Sequence, residues 1–253
     1  MIPAWLATLG STAVGLLAAA AVARWQRRWV RRWQGPPGGG AALDEPRSFA
    51  LLSASVLGAI AGAYLLQMPA DLLGWAWRPE TSGDARPLGG RTVVGGLLGG
   101  WIAVEWAKRR HGIAESTGDR FAAPLAAALA CGRVGCALAG CCVGVACAPA
   151  WWAWLDEHGV ARVPVAWIEA AFHAGATVLL LIATARAARR GRPARGIAFA
   201  AYMAAYAALR LILETVRPNP PLAFGLSWYQ WLALALFVLA ATITIRRLRP
   251  PHS

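Results

Sequence analysis

The sequence predicts an all-α membrane protein, a polytopic bundle of about seven transmembrane helices with the N-terminus outside and the C-terminus inside. Three observations carry that reading. The first is apolar content: 58% of 253 residues are hydrophobic and the mean hydropathy is +0.47, more apolar surface than a soluble domain of this size buries in one core. The second is patterning, since blocks of about 16 to 24 residues with few charges recur along the whole chain. The third is charge placement. Most of the 25 Lys and Arg residues lie after blocks one, three, five and seven, which keeps those connections on the cytoplasmic side. The net charge of +13 could alone suggest nucleic acid, but arginines set between apolar blocks form no solvated basic face, so no nucleic-acid partner is expected.

Block one covers 3–23. It has no basic region before it and no A-x-A-like cleavage site, so it reads as a retained helix rather than a signal peptide. RWQRRWVRRW (24–33) follows, with arginines for anionic headgroups and tryptophans for the interfacial belt. GPPGGG (35–40) closes this 24–48 cytoplasmic basic loop as a flexible linker. Block two is 49–68 and leads to a periplasmic loop over 69–91. Block three, 92–107, opens with GGLLGG (95–100), whose Gly95/Gly99 and Gly96/Gly100 spacings suit either close helix packing or backbone contact with a ligand. Block four, 121–145, holds Arg133 and four of the five cysteines, with Cys147 just beyond it; block five, 164–185, holds Glu169 and His173; block six, 196–216, holds Arg210 and Glu214. Block seven is 227–245. No soluble segment interrupts the series, so 1–253 is expected to be a single integral membrane domain.

Two arginines, Arg133 and Arg210, fall inside predicted spans, where a charge costs at least about 2.5–3.5 kcal/mol and faces the bundle interior and a partner. At 1.5 Å per residue Arg133 lies about 18 Å and Arg210 about 21 Å from the inner surface, so both reach the middle to outer half of the bilayer. Glu214, one turn from Arg210, is a possible partner, and mutual neutralisation is the plain alternative to a site. Glu169 and His173 share one face of block five, with His173 open to two readings, a base or an interhelical hydrogen-bonder.

The cysteines at 131, 136, 141, 142 and 147 form no C-x₂-C pair and have no His at ligand spacing, so no metal is expected. Small residues at Gly132, Cys136, Gly140 and Gly144 suggest instead one smooth helical face beside Arg133, suited to a phosphate.

These residues together resemble the prolipoprotein diacylglyceryl transferase family. GGRTVVGGLLGG (89–100) is similar to its glycine-rich motif and GRVGCALAGCCVG (132–144) to its arginine signature. RVPVAWIEAAFHAG (162–175) is similar to its Pro motif ending in Glu, and YAALRLILETVRP (206–218) to its Tyr, Arg, Glu and final Arg. The resemblance implies a multi-pass enzyme of the bacterial inner membrane that moves diacylglyceryl from phosphatidylglycerol to the lipobox cysteine of a prelipoprotein signal peptide, with no cofactor. It also implies that Arg133 and Arg210 hold the headgroup phosphate as catalytic cations. Gly95, Gly96, Gly144, Glu169, Tyr206, Glu214 and Arg217 would complete the lipid site. His173 is the candidate proton acceptor, because the family's histidines are replaced here by Val94 and Val163 and its tyrosine before Glu169 by Ile168. Two alternatives stay open: a paralogue transferring a lipid moiety to another acceptor, and a non-catalytic lipid-binding membrane protein.

Overall fold

A computed structural model describes residues 4–34, 45–77, 91–156, 158–191 and 195–249. The GPPGGG linker, Arg78, Arg86 and residues 250–253 lie outside the described residues. The helices are α1 (Ala4–Gln34), α2 (Glu45–Leu65), α3 (Met68–Trp77), α4 (Val93–Arg110), α5 (Gly118–Leu138), α6 (Val165–Arg189), α7 (Ile197–Glu214) and α8 (Trp228–Leu248). Two small antiparallel hairpins, β1 (Trp154–Leu155) with β2 (Ala161–Arg162) and β3 (Pro221–Ala223) with β4 (Leu226–Ser227), lie in connections. The all-α polytopic class expected from composition is the one the chain adopts. Among the described residues five segments are long and apolar enough to cross a membrane: Pro46–Leu72, Gly118–Leu138, Val165–Arg189, Ile197–Glu214 and Trp228–Leu248. The protein is therefore a multi-pass membrane protein. Large apolar side chains stand outward on these helices, with Leu57, Leu179 and Ile212 each about two-thirds exposed, as a lipid-facing surface requires.

Two boundaries differ from the expected blocks, each for a local reason. α1 does not stop at residue 23 but continues through the arginine and tryptophan run to Gln34, because residues 24–34 contain no Pro or Gly to interrupt it. α5 ends at Leu138, seven residues before the expected end of block four. Gly140 takes a left-handed φ of +66°, and the backbone N–H of Cys141 donates to the carbonyl of Cys136 (3.1 Å), a glycine-terminated cap that a continuing helix cannot contain. The expected single helical face of Gly132, Cys136, Gly140 and Gly144 is therefore not formed: Gly140 and Gly144 lie beyond the helix, and a Cβ on Gly132 would meet nothing within 4 Å.

The chain divides into two compact units. One comprises 38–115 and 219–238, and its centre is the packing of α2 on α4. A Cβ on Gly62 would fall 2.8 Å from Gly99 Cα, and one on Gly95 would fall 2.6 Å from the Gly62 carbonyl oxygen. The GxxxG face of α4 thus meets a second such face on α2, Gly58/Gly62, and glycine alone lets the backbones approach this closely. Gly96 faces the carbonyl of Ala59 on the same helix pair.

The other unit comprises 1–37, 116–218 and 239–253 and is built on α1, α5, α6 and α7. Asp119 in the first turn of α5 ties α5 to α7, accepting from the backbone N–H of Gly196 (2.7 Å) and of Phe199 (3.0 Å) at the α7 N-terminus. An acidic group there satisfies orphan donors and opposes the helix dipole. After α5 the chain returns as a three-way backbone clasp: Gly144 N–H donates to Val163 O (3.0 Å), Val163 N–H to Val145 O (3.1 Å) and Val145 N–H to Val216 O (2.8 Å). The clasp joins the ends of α5 and α7 to the start of α6, and so fixes the three helices that carry the charged residues.

Candidate functional site

Glu169 is the hub of the second unit. It projects from α6 with no solvent exposure, and three arginines from two helices and a turn converge on its carboxylate. Arg210 Nη1 on α7 donates to Oε1 (3.2 Å), Arg217 Nη2 in the turn after α7 donates to Oε2 (3.4 Å), and Tyr206 OH donates to Oε1 (3.3 Å). Arg133 Nε on α5 stands 3.0 Å from Oε2. Arg210 bridges to a second carboxylate, with Nη2 2.9 Å from Glu214 Oε2, while Arg133 Nη2 reaches Tyr206 OH at 3.4 Å. The plain pairing of Arg210 with Glu214 is therefore present but is one edge of a larger network, and Arg133 belongs to it through Glu169.

Burial makes this network informative. The side chains of Arg133, Arg210, Glu169 and Glu214 are each less than a tenth exposed, a placement tolerated only when charges are paired and hydrogen-bonded. Among the described residues three guanidinium groups face two carboxylates, which leaves one positive charge over. Donors are also left over: Arg133 Nε, despite its short distance to Glu169, does not align for a hydrogen bond, and Arg217 Nε has no acceptor, although both atoms are buried. Buried donors without partners are rare in folded proteins. The local excess of charge and of N–H groups is the complement of a monoanion with several acceptor oxygens.

The α7 contribution follows from spacing. Tyr202, Tyr206, Arg210 and Glu214 are four residues apart and line one helix face; all four are buried. Sequence reasoning singled out the last three and missed Tyr202, although the same interval points to it. Tyr202 OH lies 2.8 Å from His173 Nδ1, while His173 Nε2 is buried without a partner. The imidazole centroid stands 4.6 Å from the Tyr206 ring, and Phe172 packs on both tyrosines, at 6.3 and 6.1 Å between centroids. His173 is thus adjacent to the charged network and oriented by one ring nitrogen.

The remaining expected site residues are distributed differently. A Cβ on Gly144 would lie 2.7 Å from Val163 Cβ and 2.8 Å from Val163 O, so this glycine faces protein backbone at the clasp. Gly95 and Gly96 belong to the first unit and pack on α2. Val94 is buried there, Val163 is half-buried beside Gly144, and Ile168 is exposed. The five cysteines are all free, and the Sγ atoms of Cys136, Cys141 and Cys142 lie within 4.8 Å of one another.

Comparison with known proteins identifies the family. The chain matches the family described as prolipoprotein diacylglyceryl transferase over residues 10–246. Similar curated proteins include two from strains of Dehalococcoides mccartyi, each called phosphatidylglycerol–prolipoprotein diacylglyceryl transferase. Each is 31% identical over 163 residues, which is 62% of this chain and 60% of the relative's length. On a family match that covers nearly the whole chain, including both intramembrane arginines and the Glu169 hub, this protein belongs to the prolipoprotein diacylglyceryl transferase family.

Proposed function

We propose that the chain is a phosphatidylglycerol–prolipoprotein diacylglyceryl transferase of the bacterial inner membrane, with its N-terminus outside, its C-terminus inside and its arginine network in the outer half of the bilayer. The observation that carries the reading is the network of Arg133, Arg210 and Arg217 against Glu169 and Glu214, one positive charge in excess with two buried guanidinium donors unfilled. A phosphodiester headgroup has one negative charge and acceptor oxygens, so phosphatidylglycerol would neutralise the network and fill its donors.

In the proposed reaction the thiol of the lipobox cysteine attacks the diacylglycerol carbon bonded to the phosphate oxygen. The C–S bond forms as the C–O bond breaks, glycerol phosphate leaves with the electron pair, and Arg133 and Arg210 stabilise the charge growing on it. The thiol proton passes to His173 Nε2. That role requires the tautomer in which Nδ1–H donates to Tyr202 and Nε2 keeps its lone pair. Glu169 is unsuited to take the proton, because both of its carboxylate oxygens are already engaged by guanidinium groups of Arg133, Arg210 and Arg217. Tyr206, Glu214 and Arg217 shape the phosphate site through contacts with Glu169 and Arg210. Gly144 supports it from the clasp, and Gly95 and Gly96 belong to the lipid site by resemblance.

The test is transfer of labelled diacylglyceryl from phosphatidylglycerol to a lipobox peptide by purified protein in mixed micelles. Wild type is expected to transfer, and His173→Ala to lose most of the rate while retaining lipid binding. The replacement of the family histidines by Val94 and Val163 favours two competing readings, a lipid-binding protein and a transferase with another acceptor. Lipid binding without peptide modification would overturn the prelipoprotein assignment in favour of these two readings.

A further inference from the structure

Chain order hides a cluster that the fold creates. Cys136 lies in the last turn of α5, while Cys141 and Cys142 follow the helix end. Two consecutive capping bonds, Ala139 N–H to Gly135 O (2.9 Å) and Gly140 N–H to Ala137 O (3.2 Å), precede the return of Cys141 N–H to Cys136 O (3.1 Å). That return sets Cys141 back over Cys136, with its Sγ 3.4 Å from the Cys136 carbonyl oxygen. Cys142 then takes φ +61°, a left-handed conformation that costs a residue with a Cβ about 1–2 kcal/mol. Strain of this kind at a residue bearing a reactive atom points to a use for that atom. Its effect is to bring a third sulfur to the group.

We propose that Cys136, Cys141 and Cys142 form a three-thiolate site for a soft, thiophilic metal cation. All three Sγ atoms lie within 4.8 Å of one another. Around an ion with metal–sulfur bonds of about 2.3 Å, trigonal or tetrahedral geometry sets sulfurs about 3.8–4.0 Å apart. Rotation of the side chains closes that difference. An all-sulfur donor set selects ions such as monovalent copper, zinc or cadmium over magnesium, calcium or manganese. Cys141 is exposed, which gives an ion a path in. The usual C-x₂-C spacing is absent because a left-handed turn, rather than a short loop, brings the thiols together. This site does not depend on the transferase reading.

The experiment uses the full chain in detergent, reduced and stripped of metal with a chelator that is then removed. Cadmium is titrated in, and thiolate-to-metal charge transfer is followed in the ultraviolet; monovalent copper is titrated in competition with a chromogenic chelator. One equivalent is expected, with the intensity of three thiolates. Cys141→Ser, at an exposed position that leaves the fold least disturbed, is expected to weaken binding at least about 100-fold, since even a supporting group around a metal site contributes 10–100-fold. Cys131→Ser and Cys147→Ser are expected to bind as wild type does. Absence of a saturable one-equivalent signal in wild type, unchanged binding by Cys141→Ser, or a signal lost equally in the Cys131 and Cys147 variants overturns the proposal. So does a disulfide that survives reduction and locks two of the three sulfurs.

Discussion

Replacing Glu169 by glutamine isolates the central claim about the site. Glu169→Gln keeps the shape of the side chain and removes its charge, so packing on α6 is unchanged while three arginines lose their shared anion. The local excess rises from one positive charge to two. Each guanidinium stands within 3.0 to 3.4 Å of the carboxylate, and the carboxylate has no solvent contact, so water cannot replace it. Removing one partner of a buried ion pair costs about 3–5 kcal/mol. A protein of this size shifts its melting temperature about 2–4 °C per kcal/mol, giving an expected fall of about 6–20 °C. Here the gain from hydrogen bonding to a neutral amide is small, because glutamine offers one acceptor oxygen where Arg133, Arg210, Arg217 and Tyr206 previously shared two.

Thermal unfolding in one detergent, with and without phosphatidylglycerol, measures the effect. Without lipid the variant should melt lower by the stated amount. With lipid it should regain more stability than wild type does, because the added phosphate now faces two uncompensated positive charges instead of one. A variant that melts within about 2 °C of wild type, equivalent to under about 1 kcal/mol, would show that the three arginines do not depend on Glu169. A variant no more responsive to lipid than wild type would separate the network from the lipid.

Arg133→Lys should insert and fold but lose most phosphatidylglycerol occupancy, read by mass spectrometry of the purified complex, because an ammonium keeps the charge and loses the planar fork that grips two oxygens. Gly144→Ala should lower stability by about 1–3 kcal/mol, since its Cβ would meet Val163 O at 2.8 Å and Val216 O at 3.0 Å; unfolding midpoints report it, and a neutral result removes the clasp as a support of the site. Tyr202→Phe removes the partner of His173 Nδ1 while keeping the ring that packs on Phe172. It should reduce the transfer rate with unchanged lipid binding and change its pH profile, whereas a purely packing role for Tyr202 would leave that profile in place.

Charge was the legible part of this chain, and backbone geometry was not. Arg133 and Arg210 stand out in the sequence because an arginine within an apolar block is expensive wherever it points, and that cost holds before any fold is known. Their common depth, counted along two helices, places them at one level, and Glu169 joins them there. The four-residue interval from Tyr202 to Glu214 and the shared face of Glu169 and His173 are also properties of a helix and need no tertiary knowledge. Arg217 is the opposite case. It falls just past block six, where an arginine carries no cost that marks it, and only the turn after α7, held by Val145 N–H on Val216 O, directs it back to Glu169. The cysteines fail as a sequence signal for the same reason: spacing rules presume which backbone joins two ligands. A helix taken to continue through Gly140 spreads the small residues along one face. A left-handed glycine at that position instead ends the helix and brings Cys136, Cys141 and Cys142 together. Gly140 carried both possibilities in the sequence, as a tolerated helix residue or a helix stop. The Cys141 N–H bond to Cys136 O decides between them, and the return of the chain, with Gly144 N–H on Val163 O and Val145 N–H on Val216 O, follows that stop.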